Sequence, residues 1–590
     1  MQKSILRISA AALVLFSFAS GTQVSAADAV AAAAPAPVRS ADLVFVNGEV
    51  RTPGGWVEAV AVSKGVIIAV GSSADVRGQA GEGARIVDLK GATLLPGLTD
   101  GHVHAMFAGM EQFTCRIRPG AKSDVIAKTV AGCVTDKAEG EWITGGNWVA
   151  AGFKPAEQNS KFLDRIAPKN PVALIDESHH SLWVNSAALK QAGITRDTKD
   201  PDGGAIDRDG RGEPTGLLRE TAMGLVNGKI PRPTDAQRAA ALTLSTNQML
   251  SFGITGFIDA GVLLPDVGVM SAMSASGAMK QRVRGCMRWT PLAGTNPVAN
   301  GEALIEARAF YSQPRFKLDC VKVVLDGVPT EGRTAMMIDP YLDGPHGHGG
   351  EPTRGIAMLA PEILYPAVTR FDREGLTIKF HAAGDGAVRE AIDSVAAARK
   401  ANGWGGPAHD VGHNSFVDPA DIDRVRDLQM TWEFSPYIWY PTPIAATDIR
   451  AVVGDERMKR WIPIKDALDS HALIIAGSDW SVVPSVNPWL AIETMVTRQM
   501  PGGSKETLGE GQKIGLDDAM RIFTENAAVH MGLRDTVGSI APGMHADVIV
   551  VERNPFKIPI TEVHNTKVLM TFIDGEKVYD AASPPKLTAH

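Results

Sequence analysis

The sequence predicts an α/β fold: a (β/α)8 barrel joined to a small β-sandwich made from the two ends of the chain. Three observations predict it. Short apolar runs alternate with helical patterns through the long middle, each run closes on polar or metal-competent residues, and Gly-punctuated β-rich segments near the two ends share a pattern. The 590 residues suffice for one large domain and a smaller one, and a chain 44% hydrophobic and 21% charged is globular in composition. A formal net charge of -7 gives no electrostatic reason to expect nucleic acid as a partner.

The first residues stand outside this fold. Lys3 and Arg7 precede an apolar run over 8–18, and small residues lead to Val24-Ser25-Ala26. That is the pattern of a signal peptide over 1–26 cleaved after Ala26, and it predicts a secreted or periplasmic protein. The run falls well short of the roughly 20 residues that a membrane span needs. No later segment reads as a span, so none is expected after cleavage. Residues 27–40, rich in Ala and Pro, read as a linker.

The sandwich comes next. Asp42-Leu-Val-Phe-Val-Asn-Gly and Ala59-Val-Ala-Val-Ser-Lys-Gly resemble in pattern Ala546-Asp-Val-Ile-Val-Val and Val568-Leu-Met-Thr-Phe-Ile. Segments 41–95 and 537–582 are therefore expected to complete one sandwich, with 96–536 inserted as the barrel. Within the insert, Ile254-Thr-Gly-Phe-Ile-Asp, Cys320-Val-Lys-Val-Val-Leu, Leu376-Thr-Ile-Lys-Phe-His and Leu473-Ile-Ile-Ala read as strands. Helical stretches such as 386–401 and 418–428 follow runs of this kind, and repeated β-then-α units imply a parallel sheet. Residues 111–240 fit the repeat poorly and are expected to elaborate the barrel mouth. The four cysteines, Cys115, Cys133, Cys286 and Cys320, are too few for a disulfide scaffold and form no C-x-x-C pair. Cys115 with Cys133 is open between a bridge and two buried thiols.

The candidate chemistry lies at the strand ends, where such barrels carry it. In Leu94-Leu-Pro-Gly-Leu-Thr-Asp-Gly-His-Val-His, residues His102 and His104 sit two apart in an extended run, so both imidazoles project to one side and reach one ion. Alone this spacing is weak. It gains weight from Lys322, His381, His413 and Asp479, each at an expected strand end. Several histidines and an aspartate converging at the ends of one barrel point to a metal site.

With these residues in order, the sequence resembles the amidohydrolase superfamily, specifically the amidohydrolase family 3 branch that includes N-substituted formamide deformylase. The resemblance rests on Leu95-Pro-Gly-Leu-Thr-Asp-Gly-His-Val-His, Trp183-Val-Asn-Ser-Ala-Ala-Leu, Gly212-Glu-Pro-Thr-Gly-Leu-Leu-Arg-Glu and Val321-Lys-Val-Val-Leu-Asp-Gly. His381-Ala-Ala-Gly-Asp, Ala476-Gly-Ser-Asp-Trp and Gly538-Ser-Ile-Ala-Pro-Gly-Met-His-Ala-Asp extend it. It implies the barrel and flanking sandwich already read from the pattern. It also implies that His102 and His104 hold a buried metal with Asp479 beside it, that His381 and His413 hold a second, and that a carboxylated Lys322 bridges two Zn2+ ions. On this reading zinc makes hydroxide available at neutral pH to attack a carbonyl, and Asp479 moves the proton to the leaving group.

The expected activity is thus hydrolysis of a C–N, amide-type bond of a small molecule. An esterase or lactonase with the same site, or a non-catalytic binding protein retaining the fold, are the alternatives. Substrate contacts are sought where the chain departs from the family pattern. His180 falls on a family position, with His179 as an extra, and Trp148, Trp183, Tyr437 and Trp480 give aromatic density near the expected mouth. This suggests an aromatic or apolar substrate. His346 and His348, in a Gly-rich run, are left out of the site, and assembly into a homo-oligomer stays open.

Overall fold

The computed structural model describes residues 40–118, 121–135, 137–149, 154, 157–176, 181–201, 204–291, 296–330, 333–342, 353–442 and 444–585. The signal-peptide segment, the linker up to residue 39, and His179, His180, His346 and His348 lie outside the described residues.

Eight parallel strands form the barrel: β1 (Leu98–Val103), β2 (Ile254–Val262), β3 (Arg282–Arg288), β4 (Phe316–Val324), β5 (Thr377–Ala382), β6 (Asp410–His413), β7 (Thr431–Phe434) and β8 (Leu473–Ala476). They pair in sequence order, and a parallel bridge from Val103 to Trp480 links the two ends of the sheet. Helices Asp385–Asn402 and Ile422–Asp427 follow β5 and β6, as the apolar periodicity predicts. Most strand residues are fully buried because one face of the closed sheet meets helices and the other fills the lumen.

The terminal β-rich segments build two further sheets. One holds four strands in the order Val66–Gly71, Ala59–Ser63, Ala41–Val46 and Ala80–Asp88. The other interleaves the chain ends, with Val568–Ile573 and Val548–Val551 pairing onto Thr93–Pro96 and Glu49–Thr52. Both contribute to one apolar cluster, in which Phe45 and Phe572 meet edge to face with ring centroids 4.9 Å apart. The third sheet outside the barrel has six strands, drawn from the segment between Cys115 and Glu220.

Two disulfides are present. Cys115–Cys133 resolves the alternative that the sequence leaves open. Cys286–Cys320 joins register partners on β3 and β4, a pairing that the spacing of 34 residues gives no means to foresee. No helix among the described residues is long and apolar enough to cross a membrane.

Candidate metal centre

The centre is built where β1 meets the chain leaving β8. His102 is the penultimate residue of β1, and His104 follows it at the start of the helix Ala105–Glu111. The Asp479 amide donates to the His102 carbonyl at 2.7 Å, and the His104 amide donates to the Trp480 carbonyl at 2.8 Å. Gly477 permits this approach, since a Cβ there would lie 2.1 Å from the His102 nitrogen. Buried Asp100 braces both segments by accepting from the His102 amide at 3.0 Å and the Ser478 amide at 2.9 Å. Asp259 does the same for the Ala105 amide at 3.1 Å. Burial pushes both carboxyls up, to about 6.

The strand-end backbone is strained where it aims ligands. His413 and Asp479 have φ of 74° and 55°, in the left-handed region that non-glycine residues avoid. Such positions cost on the order of 1–3 kcal/mol and persist where the surrounding fold holds them. Here they turn two side chains towards the lumen.

The side chains converge. The Oδ1 of Asp479 lies 3.3 Å from His104 Nε2 and 3.6 Å from His102 Nε2. Ligand atoms of these three residues all fall within 4.8 Å of one another, a set able to hold an ion. The His413 ring packs 4.8 Å from that of His102 and 4.4 Å from that of His381. Lys322 Nζ reaches within 3.4 Å of His102 Nε2. All six residues predicted from the strand ends therefore meet at one point of the barrel.

Three of the four imidazoles also have one nitrogen tied to the protein, leaving the other for a ligand. His102 Nδ1 lies 2.6 Å from Glu433 Oε2, His381 Nε2 lies 3.1 Å from the Gly327 carbonyl, and His413 Nδ1 lies 3.3 Å from Ser435 Oγ. Burial pushes His102 and His413 well below the ordinary imidazole value and His381 down to about 4. These rings are neutral at pH 7, the form that donates a lone pair to a metal. Burial likewise lowers the Lys322 amine, to about 8.

Glu433 belongs to the centre although the sequence pattern did not single it out. It is fully buried on β7, in contact with His102 and 3.6 Å from Lys379, which pairs with Asp410 at 2.7 Å. Burial pushes its carboxyl up, against the pull of Lys379. The one signal was a lone acid inside an apolar strand run.

The site opens into a cavity of about 790 Å³, within the range of small-molecule sites. The aromatic residues expected at its mouth divide. Tyr437 lines the cavity, joined by Tyr440 and Trp461. Trp480 is buried and its backbone carbonyl accepts from the His104 amide. Trp148 and Trp183 instead pack edge to face, 5.8 Å apart, in the core of the Cys115–Glu220 sheet. Their indole nitrogens donate to the carbonyls of Leu174 and Asn159. They do not line the cavity, because their strands turn these side chains into that sheet's own apolar core.

Comparison with known proteins agrees with this fold and gives the family. The model of the Amidohydrolase family matches residues 85–579. The chain is 29% identical to Protein LONG AFTER FAR-RED 3 of Arabidopsis thaliana, over 91% of this chain and 92% of that one. It is 26% identical to N-substituted formamide deformylase of Arthrobacter pascens, over 91% and 98%. In fold it is similar to an uncharacterized metal-dependent hydrolase from Pyrococcus horikoshii OT3, with a TM-score of 0.71 at 22% identity, covering 88% of this chain and 99% of that one.

Proposed function

The chain belongs to the amidohydrolase family, and from that premise we propose that it is an exported hydrolase cleaving a C–N, amide-type bond in a small apolar or aromatic molecule. The observation that carries this reading is the approach of His102, His104 and Asp479 to one ion-sized point, with neutral His381 and His413 beside them.

The donor set of imidazole nitrogens and carboxylate oxygen fits zinc. His102, His104 and Asp479 would hold one ion, His381 and His413 a second, and a carboxylated Lys322 would bridge them. Burial of the Lys322 amine supports that role, since only the neutral amine captures carbon dioxide. When bound, such ions lower the pKa of water towards about 7 and polarise a carbonyl. The protein's own part is proton transfer and positioning. Asp479 faces the cavity and takes the proton from the attacking water. The same carboxyl returns it to the leaving nitrogen as the C–N bond breaks. Glu433, Gly327 and Ser435 fix the ring orientations. Tyr437 and Tyr440 supply apolar wall for the substrate. Two disulfides support export, because such bonds persist in oxidising compartments.

The test is elemental analysis of the purified protein with a screen of formamides, N-acyl amines, carbamates and esters. About two zinc ions per chain and chelator-sensitive amide cleavage are expected. Protein that takes up no divalent metal, or cleaves esters but no amide, would sink this proposal.

A further inference from the structure

We infer that Arg288 is a substrate-recognition residue, and that the molecule cleaved is an amide carrying a carboxylate on one side of the scissile bond and an apolar group on the other. The inference rests on the hydrolase reading and extends it to substrate class.

Arg288 is the last residue of β3 and the register partner of Lys322 on β4. Paired residues of neighbouring parallel strands project from the same face. Lys322 points into the lumen at His102, so Arg288 points there too. The alternation one step earlier agrees: Cys286 and Cys320, also register partners, meet Ile258 and Ile475 of two further barrel strands in one buried cluster, with Ala527 of the helix Glu525–His530. Two residues on, the same inward face delivers Arg288 and Lys322, and Arg288 lines the cavity.

Its environment distinguishes it from an ordinary surface arginine. Arg288 is exposed to the cavity, and among the described residues its guanidinium has no ion pair and no hydrogen bond. The other arginines at this sheet are committed. Arg282 pairs with Asp547 and Asp574, and Arg284 with Asp319. An unpaired guanidinium opening onto a reaction cavity presents a planar fork of donors that matches a carboxylate.

The opposite wall supplies the second half of the substrate. In a ring of eight strands, β3 and β7 face each other across the mouth. The chain leaving β7 lines the cavity with Tyr437, Tyr440 and Ile444, and the chain leaving β8 adds Val482. Ile444 is 55% and Val482 69% exposed, large apolar surface left open at the rim. The candidate metal ligands come from β1, β4, β5, β6 and the chain leaving β8, strands of the ring that lie between β3 and β7 on its two sides. A substrate spanning the cavity then places its anion at Arg288, its apolar group at the aromatic wall and its amide over the centre.

The experiment compares N-benzoylalanine with N-ethylbenzamide, which shares the benzamide bond and lacks the carboxylate. Both are assayed with zinc-loaded wild type and with Arg288→Gln, and binding of N-benzoylalanine is followed by calorimetry. Wild type is expected to favour N-benzoylalanine. In Arg288→Gln, kcat/KM and affinity for it are expected to fall on the order of 10- to 100-fold. Cleavage of N-ethylbenzamide is expected to stay within about threefold. Equal losses on both compounds, or N-benzoylalanine neither bound nor cleaved by a protein that cleaves other amides, would overturn the inference and leave the hydrolase reading intact. If no amide is cleaved at all, the hydrolase reading fails, and calorimetry with the two proteins still decides whether Arg288 recognises the carboxylate.

Discussion

Removing the Glu433 carboxylate should weaken metal binding without unfolding the barrel. Glu433 Oε2 lies 2.6 Å from His102 Nδ1, and both side chains are fully buried. A hydrogen bond to a charged group is worth about 1.5–3 kcal/mol net, which corresponds to roughly 10- to 100-fold in affinity. Loss of the partner that orients a metal-binding histidine costs about the same range. Lys379 is not orphaned by the change, because Asp410 remains 2.7 Å from its Nζ. The larger penalty for an unpaired buried charge is therefore not expected. In Glu433→Gln the amide oxygen can still accept from the ring, so about a 10-fold loss is expected, against about 100-fold in Glu433→Ala. Gly412→Ala should act in the same direction while keeping the carboxyl group, since its Cβ would fall 2.4 Å from Glu433 Oε2. Competition with a chromophoric chelator gives the zinc affinities, and near-ultraviolet circular dichroism checks the fold. A zinc affinity in Glu433→Ala within threefold of wild type, with the fold unchanged, would refute the positioning role.

Asp479→Asn should retain measurable metal through His102 and His104 yet lose on the order of 10²–10⁴ in kcat, the usual worth of a positioned acid–base group; steady-state assay at matched metal content reads this out. The Lys379 network should show in acid unfolding. Burial favours the neutral form of Asp410, but Lys379 at 2.7 Å and His530 at 3.0 Å hold its carboxyl well below the usual range. A lowered folded-state value means that its contribution is complete above the unfolded value near pH 4 and is lost as pH falls below it. Asp410→Asn, which breaks the buried pair, should cost about 3–5 kcal/mol at pH 7. Its urea midpoint should approach that of wild type as pH drops from 4 towards 2; a gap constant across that range would contradict the assignment.

What the sequence disclosed and what it withheld follow from one property of barrels. His381, His413 and Asp479 were legible because each interrupts an apolar run at its C-terminal end, where the fold places chemistry whatever the register. Glu433 and Arg288 were not legible, because inside a strand the same residue faces either the lumen or the helix layer, and a shift of one position exchanges the two. Register settles that choice through contacts far apart in sequence. The pairing of Cys286 with Cys320 fixes the inward face of β3 and β4, and a period of two then carries Arg288 into the cavity beside Lys322. Trp148 and Trp183 mark the same limit from the other side. Their strands belong to a separate sheet whose core needed large apolar side chains, so aromatic density in the sequence recorded packing there and cavity wall around Tyr437. The candidate metal ligands could therefore be read one by one, whereas the residues that line the cavity depend on which strands become neighbours.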